Sequence, residues 1–234
     1  SFPARRSSYL FILAHRGLFN GHLLVVMQKF DAALAADLVE RHGVTFMGCV
    51  PTVLQRIAKL PDVFDRDFSS LRALYYTGGA APDWMREVWA RLVSPERQFD
   101  MYGAAEGVGQ CVLRGDEWPS HRGTVGRPYD TAIRILDEQQ GELPHGTAGD
   151  VYLRRTDLDG PTFFYVGSPP PRRTPDGYTT VGDIGFLDDE GYLHLLDRRV
   201  DMIVSGGANV YCAEVEQALT SHPGVLDAAV IGLP

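Results

Sequence analysis

Apolar and polar positions follow two rhythms along this chain. In the first half, strand-length apolar runs alternate with segments of helical period. Asp31 stands where a helix N-cap belongs. Ala35, Leu38 and Val39 follow on one face, and Gly43 marks the stop. The run Val44–Val50 reads as a buried strand. Pro51 then opens a helix with Val53, Leu54 and Ile57 inward. Leu71–Tyr76 predicts a second strand, Pro82 a helix carrying Trp84, Val88, Trp89 and Leu92, and Phe99–Tyr102 a third strand. Strands alternating with helices predict an α/β fold with a mostly parallel sheet covered on both faces.

Near Val108 the rhythm shortens. Ala132–Leu136, Gly149–Leu153, Thr162–Val166 and Tyr192–Leu196 are short strand-like stretches divided by Gly, Pro and Asp clusters. They predict an antiparallel sheet or small barrel, with a hairpin at Asp188-Asp189-Glu190-Gly191. Ser168–Pro171, running into Arg172-Arg173, is a proline-rich surface loop. Past Arg198 comes a third pattern: strand-like Met202–Val204, a helix with Val215 and Leu219 inward, and apolar Val225–Ile231 as a last strand. This tail has too little surface for a core of its own and is expected to begin a further domain. The expected divisions are 1–107 (α/β), 108–198 (antiparallel, same domain) and 199–234 (a small C-terminal α+β domain, cut short).

Composition narrows the classes. The 234 residues carry a formal charge of −8 and no basic run, which disfavours nucleic acid as a partner but leaves a small anionic ligand open. Three cysteines, Cys49, Cys111 and Cys212, lie too sparsely for a disulfide framework or a zinc site. Reduced thiols in the cytoplasm are expected. Arg5-Arg6 before Tyr9–Ala14 faintly resembles a twin-arginine signal, but His15-Arg16 interrupts the apolar run. That run reads as a buried strand or a helix start. Elsewhere no segment approaches the roughly 20 apolar residues of a membrane span.

Four segments carry candidate chemistry. In Tyr76-Thr77-Gly78-Gly79-Ala80-Ala81-Pro82 a strand gives way to a helix through small residues, so backbone amides can approach a flat ring or a phosphate. A plain tight turn is the alternative. In Tyr102-Gly103-Ala104-Ala105-Glu106-Gly107 the tyrosine offers a ring to a base. Glu106 offers a carboxylate to Mg²⁺, which takes one or two carboxylates plus phosphate oxygens. In Thr180-Val181-Gly182-Asp183-Ile184-Gly185 the aspartate can accept two ribose hydroxyls or merely stabilise a turn. The fourth segment is Asp197–Tyr211. There Arg198 can reach a ribose or phosphate oxygen, and Gly206-Gly207 lets a thin ligand pass along the backbone.

In this order and spacing the four segments resemble the acyl-CoA synthetase branch of the adenylate-forming (AMP-binding) superfamily, from about Lys29 to Pro234. The resemblance implies a parent enzyme using ATP, Mg²⁺ and coenzyme A. A carboxylic acid is activated to an acyl-adenylate with loss of pyrophosphate, and the thiol then displaces AMP. It implies that Gly79, Ala80 and Ala81 border the adenine and acyl pocket. Tyr102, with Gly103, would lie against the adenine, Glu106 would bind Mg²⁺, and Asp183 would hold the ribose with Arg198 nearby. Val200 would stand at the hinge and Gly206-Gly207 would face coenzyme A. Tyr102, Glu106, Asp183 and Arg198 are thereby expected around one AMP-sized cleft. Fatty-acyl, bile-acid and aryl substrates stay open, as does an oligomer. A non-catalytic nucleotide- or acyl-binding relative and a peptide-synthetase adenylation domain are the competing readings.

The chain departs from the family pattern in several places. A threonine is usual where Ala105 stands, Asp or Lys at the hinge where Val200 stands, and Thr where Val181 stands. Losing one hydroxyl aimed at developing phosphate charge costs about 3 kcal/mol of rate. The family's phosphate loop and C-terminal lysine have no counterpart between Ser1 and Pro234, so the chain by itself is expected to be inactive. Ser1–Ser8 do not match the family's acyl-pocket stretch, and His15 is given no role.

Overall fold

A computed structural model describes residues 8–79, 81–167, 169–199, 202–205, 208–220, 222, 224, 225 and 228–232. They form two compact units. One holds the chain up to Ala105 together with Val112–Arg122, the other Glu106–Cys111 together with the chain from Gly123.

The first unit begins with α1 (Ser8–Phe19), so Tyr9–Ala14 is helical. α2 (Ala32–His42) starts and stops where the sequence predicts. Asp31 is extended, and its carboxylate accepts the Leu34 amide at 2.9 Å. Gly43 turns left-handed at φ 55° while its amide donates to the Glu40 carbonyl. An L side chain at that φ is strained, which is why glycine ends the helix. Then come β1 (Phe46–Cys49), α3 (Pro51–Ala58), β2 (Ala73–Thr77), α4 (Asp83–Leu92) and β3 (Gln98–Gly103). β4 (Gln110–Arg114), which the pattern did not predict, extends the sheet next to β3. Its alternation buries Cys111 and Leu113 in a stretch crowded by glycines.

β1, β2 and β3 are parallel, with Met47 opposite Leu74 and Tyr76 opposite Asp100. One face of the sheet holds the core. Leu74 and Tyr76 pack there with Val39 of α2, Leu54 and Ile57 of α3, and Met85 and Trp89 of α4. Trp89 is fully buried and donates its indole N–H to the Leu54 carbonyl at 3.1 Å, which satisfies its one polar atom. On the other face Tyr75 stacks on Phe99, its direct partner across the ladder, at 4.7 Å between ring centres.

The second unit is built on an antiparallel sheet in sequence order. Short β5 (Arg127–Tyr129) precedes this sheet without joining it, and its four strands are β6 (Thr131–Leu136), β7 (Gly149–Arg155), β8 (Asp183–Leu187) and β9 (Leu193–Arg198). The predicted hairpin joins β8 to β9. The Asp188 carboxylate accepts the amides of Glu190 and Tyr192 at 3.0 and 2.9 Å. The ladder shifts register between Ile184 and Gly185, and a Cβ at Gly185 would lie 2.2 Å from the His194 carbonyl oxygen. Only glycine fits there.

Three expectations fail. Thr162–Val166 forms no strand: it has no ladder partner, and Phe164 and Val166 are exposed. β10 (Ile203–Ser205) and β11 (Ala208–Val210) pair antiparallel before α5 (Cys212–Thr220), but Val215 and Leu219 on α5 are 37% and 46% exposed rather than inward. The described residues among Val225–Ile231 form no strand.

Candidate active site

Parallel strands place their carboxyl ends along one edge of the sheet, the usual position for ligands in open α/β sheets. At that edge Thr77 closes β2 and donates its hydroxyl to the Met101 carbonyl of β3, tying the two strand ends together. Gly78, at φ 87°, turns the chain into Gly79 and Ala81, while Tyr102 and Gly103 finish β3 beside them. Thus Gly79, Ala81, Tyr102 and Gly103 share one edge. Ala80 lies outside the described residues. The start of α4 already has its own negative charge, because Asp83 sits in the first turn and pairs with Arg122 at 2.7 Å.

Beneath this edge lies a cluster that sequence reasoning missed. Arg86 is buried on the inner face of α4, donating to the Tyr76 hydroxyl at 2.9 Å, to the Ala81 carbonyl at 3.2 Å and to the Asp100 carboxylate. Burial pushes the Asp100 carboxyl up from its ordinary value, and the Arg86 guanidinium opposes that rise. The available signal was position: Arg86 sits one residue from Met85 and three from Trp89, on the side of α4 that faces the core.

In the second unit Asp183 and Arg198 are brought together. They are direct partners at one end of the β8–β9 ladder, with Arg198 Nε 3.4 Å from Asp183 Oδ1. Asp183 is buried, whereas the Arg198 side chain is 59% exposed. Asp183 opens a strand rather than occupying a turn. The turn is Thr180–Gly182, closed by the Gly182 amide on the Thr180 hydroxyl at 3.1 Å.

Glu106 is placed by different contacts. Its Oε1 accepts from the Tyr165 hydroxyl at 2.9 Å, and its backbone carbonyl accepts from the Thr162 hydroxyl at 2.8 Å. Among the described residues no arginine, lysine or histidine pairs with it, and no cluster of three or more metal-ligating side chains exists. A lone carboxylate with an oxygen to spare fits Mg²⁺ carried on phosphates, since that ion rarely occupies an all-protein cage.

The segment after β9 is pinned at several points. The Asp197 carboxylate accepts the amides of Arg198 and Cys212 at 2.7 and 2.5 Å, joining β9 to the start of α5. The Arg199 amide donates to the Gly182 carbonyl at 2.8 Å. Its guanidinium reaches Asp150 of β7 at 2.7 Å, and Arg172 reaches the other Asp150 oxygen at 2.6 Å. The Asp150 side chain is wholly buried. Asp150 holds the Arg199 guanidinium above its ordinary pKa. Val200, Gly206 and Gly207 lie outside the described residues.

Cys49, Cys111 and Cys212 are buried and form no disulfide with one another, and burial pushes the Cys49 thiol up to about 12. Among the described residues no helix is long and apolar enough to cross a membrane.

Comparison with known proteins shows the family. The chain belongs to the AMP-binding enzyme family, whose model matches residues 9–158. A 2-succinylbenzoate–CoA ligase of Bacillus cereus is 32% identical over 222 residues, 94% of this chain and 45% of the relative. An amide bond synthetase of Marinactinospora thermotolerans superposes with a TM-score of 0.82 at 30% identity, covering 95% of this chain and 45% of that one. The o-succinylbenzoate CoA synthetase of Bacillus subtilis, solved with its acyl-adenylate intermediate, superposes at 0.79 with 29% identity, covering 97% and 46%. It has also been solved with ATP and magnesium ion. The chain therefore spans just under half the length of these relatives.

Proposed function

We propose that this chain is part of an acid–thiol ligase, which activates a carboxylic acid with ATP to an acyl-adenylate and passes the acyl group to coenzyme A. The observation that carries the reading is the Asp183–Arg198 pair. A buried carboxylate with a half-exposed guanidinium directly across the ladder offers an acceptor for ribose hydroxyls and a donor for neighbouring oxygens.

The roles follow residue by residue. Gly79, Ala80 and Ala81 border the adenine and the acyl pocket, Tyr102 and Gly103 lie against the adenine, and Asp183 holds the ribose. Arg198 steadies nearby oxygens. Glu106 holds Mg²⁺, which supplies charge neutralisation on the phosphates. Gly206 and Gly207 line the path of coenzyme A, and Val200 stands at the hinge between a large domain, 1–198, and a small one beginning at 199. Without a covalent enzyme intermediate, these residues act by positioning and charge stabilisation. The names of the succinylbenzoate relatives favour an aryl acid. Three buried cysteines outside any disulfide support a cytoplasmic location.

The test is pyrophosphate release by the full-length protein with ATP, Mg²⁺ and a panel of aryl, fatty and bile acids. Release with at least one acid is expected, and Asp183→Ala should raise the KM for ATP by about a hundredfold. Thioester should follow when coenzyme A is added. ATP binding without release by any acid would favour a non-catalytic relative. Release followed by amide rather than thioester would point to the chemistry named for the Marinactinospora relative.

A further inference from the structure

The loop expected as a strand, Thr162–Val166, lies on the Glu106 turn, making the two hydrogen bonds described above within four residues. It is itself fixed. Arg173 donates to the Phe163 carbonyl at 2.9 Å and sits over the Phe163 ring, whose edge meets Tyr165 at 5.0 Å between ring centres. The Tyr165 hydroxyl is thus held against Glu106 from behind by its neighbours, although Tyr165 is 40% exposed.

We infer that Tyr165 is a positioning residue for the Glu106 carboxylate. It fixes Oε1 by donation so that Oε2 is left to face a divalent cation, and Thr162 holds the backbone of the same turn. The inference rests on the proposed role of Glu106. The hydrogen bond does two things for a metal-binding carboxylate: it removes rotation about the terminal torsion, and it limits the group to one oxygen for the ion. The first lowers the ordering cost of binding, as outer partners do at metal sites generally. The second suits Mg²⁺, which keeps its waters and takes few protein oxygens. The position also bears on Ala105, where the family's usual hydroxyl is missing. Here hydroxyls reach the adjacent residue from a segment 56 and 59 residues downstream.

The test compares ATP affinity of the full-length protein by titration calorimetry, once in excess Mg²⁺ and once in EDTA. The ratio of the two reports the Mg²⁺-dependent share of binding without any turnover. Tyr165→Phe deletes one oxygen from a partly exposed ring, and it should shrink that ratio about tenfold while leaving affinity in EDTA and the melting temperature unchanged. Thr162→Val should shrink it less. Glu106→Gln should abolish it, and Tyr165→Phe added to Glu106→Gln should change nothing more. A wild-type ratio in Tyr165→Phe, with Glu106→Gln still abolishing it, overturns the positioning role alone. A ratio unaffected by Glu106→Gln overturns the metal role of Glu106, and the inference with it.

Discussion

Arg86 shows how much one side chain can hold at the residue scale. Its guanidinium is enclosed by Tyr76, Asp100 and the Ala81 carbonyl, and Trp118 lies within cation–π reach at 5.6 Å. Replacing it with methionine fills the space but strands the Asp100 carboxylate, at a cost of about 3–5 kcal/mol near neutral pH. The sign of the pH dependence follows from Asp100. Burial already raises its folded-state pKa, and without Arg86 only the backbone hydrogen bond from Met101 opposes that rise. A group raised in the folded state favours folding at low pH and loses that benefit as pH climbs through its folded value. The deficit of Arg86→Met relative to wild type should therefore narrow as urea melts are repeated at falling pH through the carboxylate range. An unchanged deficit would mean that Asp100 is not the group left stranded.

Single elements were legible wherever local chemistry decides them. Asp31 and Gly43 delimit α2 through hydrogen bonds made within a few residues, so the sequence alone marks both ends. Asp31→Ala should lower stability by about 1 kcal/mol, read as a lower urea midpoint at unchanged slope. The same local logic misled at Thr162–Val166, an aromatic, β-branched run whose side chains suit a strand. Strand formation needs a neighbour, and here Arg173 takes the Phe163 carbonyl instead. β4 shows the reverse: its inward Cys111 and Leu113 alternate correctly, but the glycines around it masked five residues of strand. Among site residues, Asp183 and Arg198 stood out because each sits in a recognisable segment. Arg86 did not, being a polar residue on an apolar helix face.

Across the whole molecule, contacts distant in sequence do most of what no pattern foretells. Asp150 is the one acidic residue in the strand pattern Gly149–Leu153, and its two arginine partners lie 22 and 49 residues away. Asp150→Ala would take the shared carboxylate from Arg172 and Arg199, which are 45% and 36% exposed and so stay solvated, a loss of about 1–2 kcal/mol. The melting temperature should fall by roughly 2–4 °C for each kcal/mol lost. If calorimetry shows no change in melting, the trio contributes nothing net to stability. Arg199 also carries a mechanical consequence. Because both its amide and its guanidinium are clamped, to Gly182 and to Asp150, a load on Arg199 is shared with the Gly182 turn and with β7 instead of falling on β9 alone. Arg198, the residue before it, is thereby kept in register opposite Asp183.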